Sequence, residues 1–137
     1  MSFEDEINSV QQLLTAYADT LNTANIALIS AFYTADGLFM ADGIKTFTMQ
    51  DLSTRNNGNY IKRTKFHIDF TVEDIVLDTR YAFVQATAIV TTHDPLTDQQ
   101  SAKQSRDFFV LRKERKAWKI YRYMFNYVAA HQHLSIK

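Results

Sequence analysis

The second half of the chain contains four long segments rich in valine, isoleucine, threonine and aromatic residues, separated by short turn-like stretches. They cover residues 66–77, 81–93, 104–114 and 117–128. β-Branched and aromatic side chains fit a pleated, half-buried surface, and polar breaks between such runs mark turns. The pattern therefore predicts a four-stranded antiparallel meander.

The first half of the chain has the spacing of helices. Apolar residues recur every three or four positions over residues 3–21, which is the stripe of an amphipathic helix, and the spacing resumes over 26–33. Thr48 followed by Asp51 predicts a third, short and capped helix that ends at residues 56–58. Helices first and a sheet after define an α+β fold, in which the long helix covers one face of the sheet.

The last predicted strand is apolar at both alternating sets of positions. Trp118, Ile120 and Met124 fall on one set, and Tyr121, Tyr123, Phe125 and Tyr127 fall on the other. A strand that is buried on both faces needs a second layer, and one layer of helix covers only one side. We therefore expect a homodimer joined through the outer face of the sheet.

Charge and composition exclude several classes of function. Fifteen Lys and Arg balance fifteen Asp and Glu, so the chain lacks the basic surface that holds nucleic acid or an anionic membrane, and we expect neither as a partner. The absence of cysteine excludes disulfides, thiolate zinc sites and thiol nucleophiles. The N-terminus, MSFEDE, is acidic where a signal peptide is basic, and no apolar run reaches the roughly 18 residues of a spanning helix. We expect a cytoplasmic protein.

Aromatic residues are unusually frequent. The chain has ten Phe, seven Tyr and one Trp, but only three Gly and one Pro. Few chain breakers and many rings predict long strands around an interior lined by aromatic side chains. The length of 137 residues fits one domain with a core large enough to contain a pocket.

Three stretches carry a family resemblance: YADTLNTANIALISAFYTADGLF (17–39), KFHIDFTVEDIVLDTRYAFVQA (65–86) and SRDFFVLRKERKAWKIYRYMFN (105–126). In order and spacing they resemble the nuclear transport factor 2-like superfamily, particularly its SnoaL-like branch, with ketosteroid isomerase and scytalone dehydratase as enzymatic relatives. The resemblance implies a single domain over 1–137: a curved, mostly antiparallel sheet wrapped round the long N-terminal helix, with an apolar pocket at its open end. Residues 36–43 (DGLFMADG) are its first strand. Members include enzymes and proteins that only bind or dimerise, so individual residues decide the function.

Two residues match the oxyanion-binding pair of ketosteroid isomerase. Tyr17 falls on the helix tyrosine that donates to the substrate oxyanion, and Asp107 falls where some relatives place a protonated acid. If Asp107 is buried, its pKa rises and it can donate a hydrogen bond. The alternatives are that Tyr17 is a core aromatic residue and that Asp107, beside Arg106, is an ordinary surface residue.

The catalytic base of that relative has no counterpart in register. Ala41 falls on the base position and Asp42 comes one residue later. Because strand side chains alternate between faces, a slip of one residue turns the carboxylate out of the pocket. Gly43 also replaces the proline that follows the base, and an Asp-Gly pair is typical of a turn. We therefore predict that Asp42 is a turn residue.

His67 and His93 are a second candidate pair, because they lie near the outer ends of two strands joined by a short turn. Scytalone dehydratase has two catalytic histidines in the corresponding strands, which implies proton transfer by imidazole. The aspartate of its first helix is replaced by Asn22, which can orient a group but cannot act as a base. Strand alternation favours the face of Ile68 over that of His67, although an irregularity at 73–74 leaves the face open. Both histidines are alternatively residues of the rim or surface.

These residues lead to one functional hypothesis with one alternative. The chain is expected to bind a small hydrophobic or aromatic molecule and to transfer a proton on it without a cofactor or metal, as an isomerase, dehydratase or cyclase does. The candidate catalytic residues are Tyr17, His67, His93 and Asp107, and the candidate ligand-binding residues are Phe32, Phe39, Phe109 and Trp118. The alternative is a non-catalytic binding or dimerisation module. His131 and His133 are expected in a frayed tail rather than a zinc site.

Overall fold

The computed structural model describes residues 2–55 and 59–129. Three α-helices, one 3₁₀ helix and six strands make up this part of the chain. The elements are α1 (Phe3–Asn22), the 3₁₀ helix (Ile26–Phe32), β1 (Tyr33–Met40), β2 (Phe47–Thr48), α2 (Met49–Arg55), α3 (Asn59–Thr64), β3 (His67–Leu77), β4 (Tyr81–His93), β5 (Gln100–Glu114) and β6 (Ala117–Val128).

The strands form one sheet in the order β2-β1-β6-β5-β4-β3. The antiparallel meander of β3 to β6 and the α+β class are confirmed. The sequence pattern did not reveal that β1 pairs with β6 in parallel, that β5 begins at Gln100, or that α3 exists. The predicted second helix is a 3₁₀ helix, and β1 begins earlier than expected, at Tyr33. Within the described ranges, no helix has the length and apolar character needed to cross a bilayer.

α1 packs its apolar stripe against the inner face of the sheet. Ser2 and Asp5 form a reciprocal capping box that satisfies free backbone groups at the start of the helix. On β4, which lies next to β3 in the sheet, the small side chains of Ala82 and Ala86 are fully buried. The core shared by the helix and the sheet includes Val10, Leu14, Tyr17, Ala82, Val84, Ala86, Phe109 and Leu111.

Two short polar contacts fix the ends of elements near the cavity described below. The Asn22 side chain at the end of α1 donates to the Ile68 carbonyl at 3.0 Å and accepts from the Ile68 amide at 2.8 Å. Asp42 lies in a turn, as predicted, and its carboxylate accepts from the Tyr127 amide at 2.9 Å. Gly43 follows with φ of 79°, a left-handed conformation that suits glycine.

Irregular pairing changes which residues of β3 and β6 face inward. In β3 the register shifts between Val72 and Asp74, which confirms the irregularity expected at 73–74. In β6, Ile120 pairs with Leu111 but Arg122 pairs with Val110, so one extra residue is inserted. A one-residue bulge reverses the faces of all residues that follow it. Inward positions of β6 are therefore Trp118 and Ile120 before the bulge, and Tyr123, Phe125 and Tyr127 after it.

The bulge corrects the interpretation of β6. Its apolar residues occupy both alternating sets because the inward set changes at the bulge, and not because both faces are buried. On the outer face, Lys119 and Asn126 are half-buried and Met124 is 47% exposed. The homodimer stays a prediction, but it can no longer rest on a strand that is apolar on both faces.

We predict that Asn22→Ala lowers the free energy of unfolding by about 1–3 kcal/mol. The substitution removes both hydrogen bonds from the Asn22 side chain to the backbone of Ile68, so the partly buried amide and carbonyl of Ile68 lose these partners. Urea unfolding followed by circular dichroism measures this. Asn25→Ala is the matched control, because the exposed Asn25 makes no side-chain capping bond. Equal effects of the two substitutions would contradict the structural role given to Asn22.

Candidate functional site

A cavity of about 170 Å³ lies between α1 and the inner face of the sheet. The 3₁₀ helix, α2 and α3 contribute further walls. The apolar lining consists of Leu21, Ile26, Ile29, Phe39, Leu52, Ile61, Phe66, Ile68, Val90 and Phe125. Six lining side chains carry a polar group, namely Tyr17, Tyr33, Ser105, Asp107, Tyr123 and Tyr127. The cavity therefore combines a mostly apolar surface with a few polar groups, as small-molecule sites do.

Asp107 on β5 is the carboxylate of this cavity. Its residue is only 3% exposed. Oδ1 accepts a hydrogen bond from Ser105 Oγ at 2.7 Å, and Oδ2 accepts one from the Tyr123 hydroxyl at 2.6 Å. Ser105 and Asp107 are two residues apart on one strand and so share a face. Tyr123 on β6 pairs with Phe109 on β5 and so lies diagonally across from Asp107, a distance that a long side chain can span.

Burial and hydrogen bonding act on Asp107 in opposite directions. Burial raises the pKa of the carboxyl above its usual value, and this effect outweighs the hydrogen bonds from Tyr123 and Ser105, which lower it. Burial also raises the pKa of the Tyr123 phenol, and the neighbouring Asp107 charge raises it further. The tyrosine thus keeps its proton near neutral pH and acts as the donor.

Tyr17 and Tyr33 form a second polar pair, with their hydroxyl oxygens 2.7 Å apart. Burial raises the pKa of both phenols, so both remain protonated. In the described part of the chain neither hydroxyl has another hydrogen-bond partner. One O–H is used between the two oxygens, and the other remains available to donate. The pair can therefore donate one hydrogen bond to a molecule in the cavity.

Aromatic packing fixes the orientation of these hydroxyls. The Tyr123 ring stacks on Phe109 with centroids 4.1 Å apart and planes inclined by 14°. The Tyr17 ring meets the Tyr123 ring edge to face at 6.0 Å. Phe39 packs against Tyr123 at 5.4 Å from the side of β1. Because these rings are packed on several sides, they lose little conformational entropy when a ligand binds, and the site is therefore pre-organised.

The two histidines expected at the pocket do not line this cavity. Ile68, Phe70 and Val72 alternate inward, so His67 points to the other face, with 53% of its side chain exposed and Nδ1 3.7 Å from Asp69. It borders a polar cleft between α1 and β3 instead. His93 lies at the end of β4, also on the outward set, with Nδ1 3.2 Å from Asp98. His67 pairs with Thr91, so His93 lies two positions further along β4 and not directly opposite His67.

Three of the four expected ligand-binding residues also lie outside the cavity lining, and only Phe39 belongs to it. Phe109 is fully buried behind the Tyr123 ring. Trp118 is held in the core, where its indole Nε1 donates to Glu6 at 3.0 Å. Phe32 packs edge to face on Tyr17 at 5.6 Å. These rings support the cavity from outside its wall. His131 and His133 lie outside the described residues.

Tyr33, Ser105 and Tyr123 are site residues that the sequence reasoning missed. Ser105 could have been found, because a hydroxyl two residues before Asp107 on a strand shares its face. Tyr123 could not, since its inward direction depends on the β6 bulge. Tyr33 sits where the 3₁₀ helix meets β1, and no periodicity marks such a junction.

The lining also determines which charges the cavity accepts. In the described ranges, no Lys, Arg or His side chain lines it, and Asp107 is its one carboxylate. No group of three or more His, Asp or Glu side chains in these ranges is arranged to hold a metal ion. The Asn22 amide, at the position of the dehydratase aspartate, is committed to the Ile68 backbone. Asp107, Ser105 and the tyrosines are therefore the groups with which a bound molecule can form hydrogen bonds, and Asp107 is the carboxyl among them that can exchange a proton.

A curved sheet closed over one long helix, with a cavity between them, defines the cone of nuclear transport factor 2-like proteins with a cystatin-like fold. A ketosteroid isomerase-like protein from Erwinia carotovora atroseptica has a TM-score of 0.77 at 22% identity, covering 93% of this chain and 99% of that chain. A nuclear transport factor 2-like protein from Novosphingobium aromaticivorans has a TM-score of 0.80 at 10% identity, covering 93% and 85%. A domain of unknown function with a cystatin-like fold from Nostoc punctiforme has a TM-score of 0.76 at 13% identity, covering 94% and 80%. Such low identities establish the fold alone.

The sequence itself identifies the family within this class. The profile of the SnoaL-like domain matches residues 10–136, and the chain belongs to this family. The resemblance inferred from the three sequence stretches is thereby confirmed. No curated protein sequence matches the chain significantly. The family fold is known for both ligand binding and catalysis, so the choice between them rests on the cavity.

We predict that Asp107→Asn stabilises the protein increasingly as pH rises above the usual carboxyl pKa of 3.8. The raised pKa means that the folded state binds the proton more readily than the unfolded state does. Stability from this group is fully present below the usual pKa and is lost as pH rises through the raised value. The side chain of Asn does not ionise, so the Asp107→Asn variant does not lose this stability as pH rises. Urea unfolding of both proteins at several pH values between about 3 and 8 measures the difference.

The control for this pH series is Asp74→Asn, because Asp74 is an exposed carboxylate on β3. Its difference from the unsubstituted protein should change little with pH. A stability difference for Asp107→Asn that stays constant or shrinks as pH rises would contradict the burial of an ionisable Asp107.

Proposed function

We propose that the cavity binds a small hydrophobic molecule bearing an oxygen and that Asp107 transfers a proton to or from it. One hydroxyl of the Tyr17–Tyr33 pair donates to that oxygen. The observation that carries the proposal is the position of Asp107, a buried carboxylate held by two donors in the wall of an otherwise mostly apolar cavity. Buried acids with raised pKa values in a cleft are candidates for acid–base work.

The reaction class that fits is proton transfer next to a carbonyl. The Asp107 carboxylate removes a proton from the carbon beside the carbonyl of a β,γ-unsaturated ketone. The electron pair of the broken C–H bond forms a new carbon–carbon double bond, and the carbonyl π pair moves to the oxygen. That oxygen accepts a stronger hydrogen bond from the tyrosine pair. In the second step the oxygen pair reforms the carbonyl, the new double bond shifts one position along the carbon chain to conjugate with it, and the pair of the original double bond takes the proton from Asp107 at its far carbon. Asp107 is then again a carboxylate, and the product is the α,β-unsaturated ketone.

Isomerisation is the simplest member of this class, and dehydration or aldol-type cyclisation uses the same first step. All of them need one acid–base group and one donor to the oxygen, which is the set that lines the cavity. His67 and His93 are no longer part of the proposal, because they lie outside the cavity. The ketosteroid isomerase-like description of the Erwinia protein is compatible with this class and says nothing of the ligand here.

The alternative is a non-catalytic binding or dimerisation module. The observation that favours it is the absence of a second carboxylate, or of any His or Lys, among the described lining residues, since many proton transfers use two such groups as separate acid and base. Such a module would bind ring compounds in the same cavity without exchanging their protons. The two functions therefore differ in chemistry and not in affinity.

The test compares proton exchange with binding. We expect the protein to catalyse isomerisation of a β,γ-unsaturated ketone, measured by ultraviolet absorbance and by deuterium incorporation from heavy water. The probes are 3-cyclohexenone, which has one ring, and a steroid β,γ-enone, which has four, and activity on either supports the proposal. Asp107→Asn should reduce the rate by about 10²-fold or more, because a positioned acid–base group contributes on this scale. Tyr17→Phe should reduce it by about tenfold or more, because one donor to the developing oxyanion is lost.

Asp74→Asn and Tyr81→Phe are the matched controls, because both residues lie outside the cavity lining and should leave the rate unchanged. A thermal-shift measurement runs in parallel, since a ligand that binds the folded state raises Tm by mass action. Ring compounds that raise Tm without any exchange above the uncatalysed rate would favour the binding module and reject the enzyme.

We also propose that two copies associate through the outer face of the sheet. Support comes from large apolar side chains on the outer face, two of which are direct cross-strand neighbours while Ile89 lies further along β4, opposite Gln104. Phe108 is 42% exposed, Met124 47% and Ile89 46%, and Phe108 pairs directly with Met124. Exposed apolar residues that share one face are typical of protein interfaces. A second copy of the same face would cover them symmetrically.

Light scattering after size exclusion tests this association. We expect a mass of twice the 15.9 kDa chain, and we expect Phe108→Glu to shift it toward a single chain because the introduced charge would be buried without a partner. Leu96→Glu is the control, since Leu96 is 94% exposed in a loop and should leave the mass unchanged. A single-chain mass for the unsubstituted protein at micromolar concentration would rule the dimer out.

A further inference from the structure

We infer that the cavity selects an uncharged compound with a single ring and one oxygen. That oxygen accepts from the Tyr17–Tyr33 pair, while a hydrogen on it, or on the neighbouring carbon, faces Asp107. This inference rests on the proposed function and specifies its ligand class. It is carried by three properties of the cavity: its volume, the charges of its lining, and the numbers of donors and acceptors that its polar groups leave free.

The volume limits the number of rings. The cavity measures about 170 Å³, and an apolar protein cavity of about 150 Å³ on a comparable scale accommodates benzene. One six-membered ring with a small substituent therefore fills the space. A second fused ring would have to displace packed walls such as Ile68 and Ile29, each 5% exposed, or lie in the open mouth beside the partly exposed Tyr127, where less of its surface is buried. Protein interiors resist such overpacking.

The charges of the lining exclude anions. No cationic side chain lines the cavity within the described ranges, so a carboxylate or phosphate would be buried without a counter-charge. Asp107 would also repel it when ionised. An apolar ring bearing an acid group should therefore bind worse than the same ring bearing a hydroxyl.

The free donors and acceptors of the buried polar groups disfavour simple cations as ligands, and the remaining polar lining residue, Tyr127, is 36% exposed and can bond to water. Each Asp107 oxygen accepts one protein hydrogen bond and can accept another, so the ligand needs a hydrogen to offer. The Tyr17–Tyr33 pair has one O–H left over, so the ligand also needs a lone pair. A hydroxyl or an enolisable ketone provides both, whereas a protonated amine has no lone pair. Leaving the buried tyrosine O–H without an acceptor costs affinity.

The experiment is isothermal titration calorimetry at pH 7 with four probes: phenol, 2-naphthol, benzoate and benzylamine. We expect phenol to bind most tightly and each of the other three to bind about tenfold more weakly or worse, on the scale set by overpacking or by an unpaired buried polar group. Asp107→Asn should reduce the preference for phenol over benzoate. Tighter binding of 2-naphthol, benzoate or benzylamine than of phenol would overturn the inference.

A pair of leucine substitutions tests the size limit separately. Leu52→Ala removes a lining side chain and should improve 2-naphthol binding relative to phenol. Leu13→Ala is the control, because Leu13 is also half-buried and packs on the core but does not line the cavity. Circular dichroism verifies that both variants fold, and the probe series on the unsubstituted protein decides the question if either does not. Equal changes in both variants would count against a size limit set by this wall.

The isomerisation assay keeps the two failures apart. Preferred binding of phenol with no isomerisation of either ketone would leave the ligand class standing and reject catalysis. Faster isomerisation of the steroid ketone than of 3-cyclohexenone would leave catalysis standing and reject the single-ring limit. Failure of all four probes to bind at millimolar concentration would overturn the inference, and the ketone assay would then decide the proposed function by itself.

Discussion

The β6 bulge is the constraint on which the site depends. One inserted residue lets Ile120 face the core near the closed part of the cone, while Tyr123 and Phe125 face inward further along the same strand. Without the insertion, the inward positions after Ile120 would be Arg122, Met124 and Asn126. The cavity would then have a charged residue in its wall, and Asp107 would lose the donor that holds Oδ2. A local change of pairing thus determines both the shape and the chemistry of the cavity.

The second physical feature is the balance of forces on Asp107. Removing a carboxylate from water is costly, and buried charges persist where hydrogen bonds or partners compensate. Ser105 and Tyr123 supply that compensation without a cation, so the carboxyl remains ready to exchange a proton rather than being neutralised in an ion pair. Other charged groups of the domain form ion pairs and hydrogen bonds away from the cavity. Glu6 is bonded to Lys113 and Trp118 on the far side of the core, where it ties the first helix to the β5–β6 hairpin.

Much of the fold and part of the site could be predicted from the sequence. The apolar stripe of α1 and the limits of β4 and β6 could be predicted, because the spacing of apolar residues along the sequence distinguishes a helix from a strand. Tyr17 and Phe39 line the cavity because one lies on the helix stripe and the other in the first strand. The face of the histidines was left open because of the irregularity at 73–74, and the structure follows the alternation that favoured Ile68 over His67. The aromatic residues of β6 were assigned to the wrong faces because an inserted residue reverses the alternation without any mark in the sequence.

The sequence by itself determined the class of fold, the order of helix and sheet, the abundance of rings in the interior and membership of the SnoaL-like family. These follow from composition, local periodicity and motifs, which are properties of neighbouring residues. Only the tertiary structure decided that Asp107 is buried between Ser105 and Tyr123, that Tyr17 meets Tyr33, and that the histidines lie outside the cavity. Such contacts join residues far apart in the chain, and their geometry depends on strand register and bulges that no local pattern records.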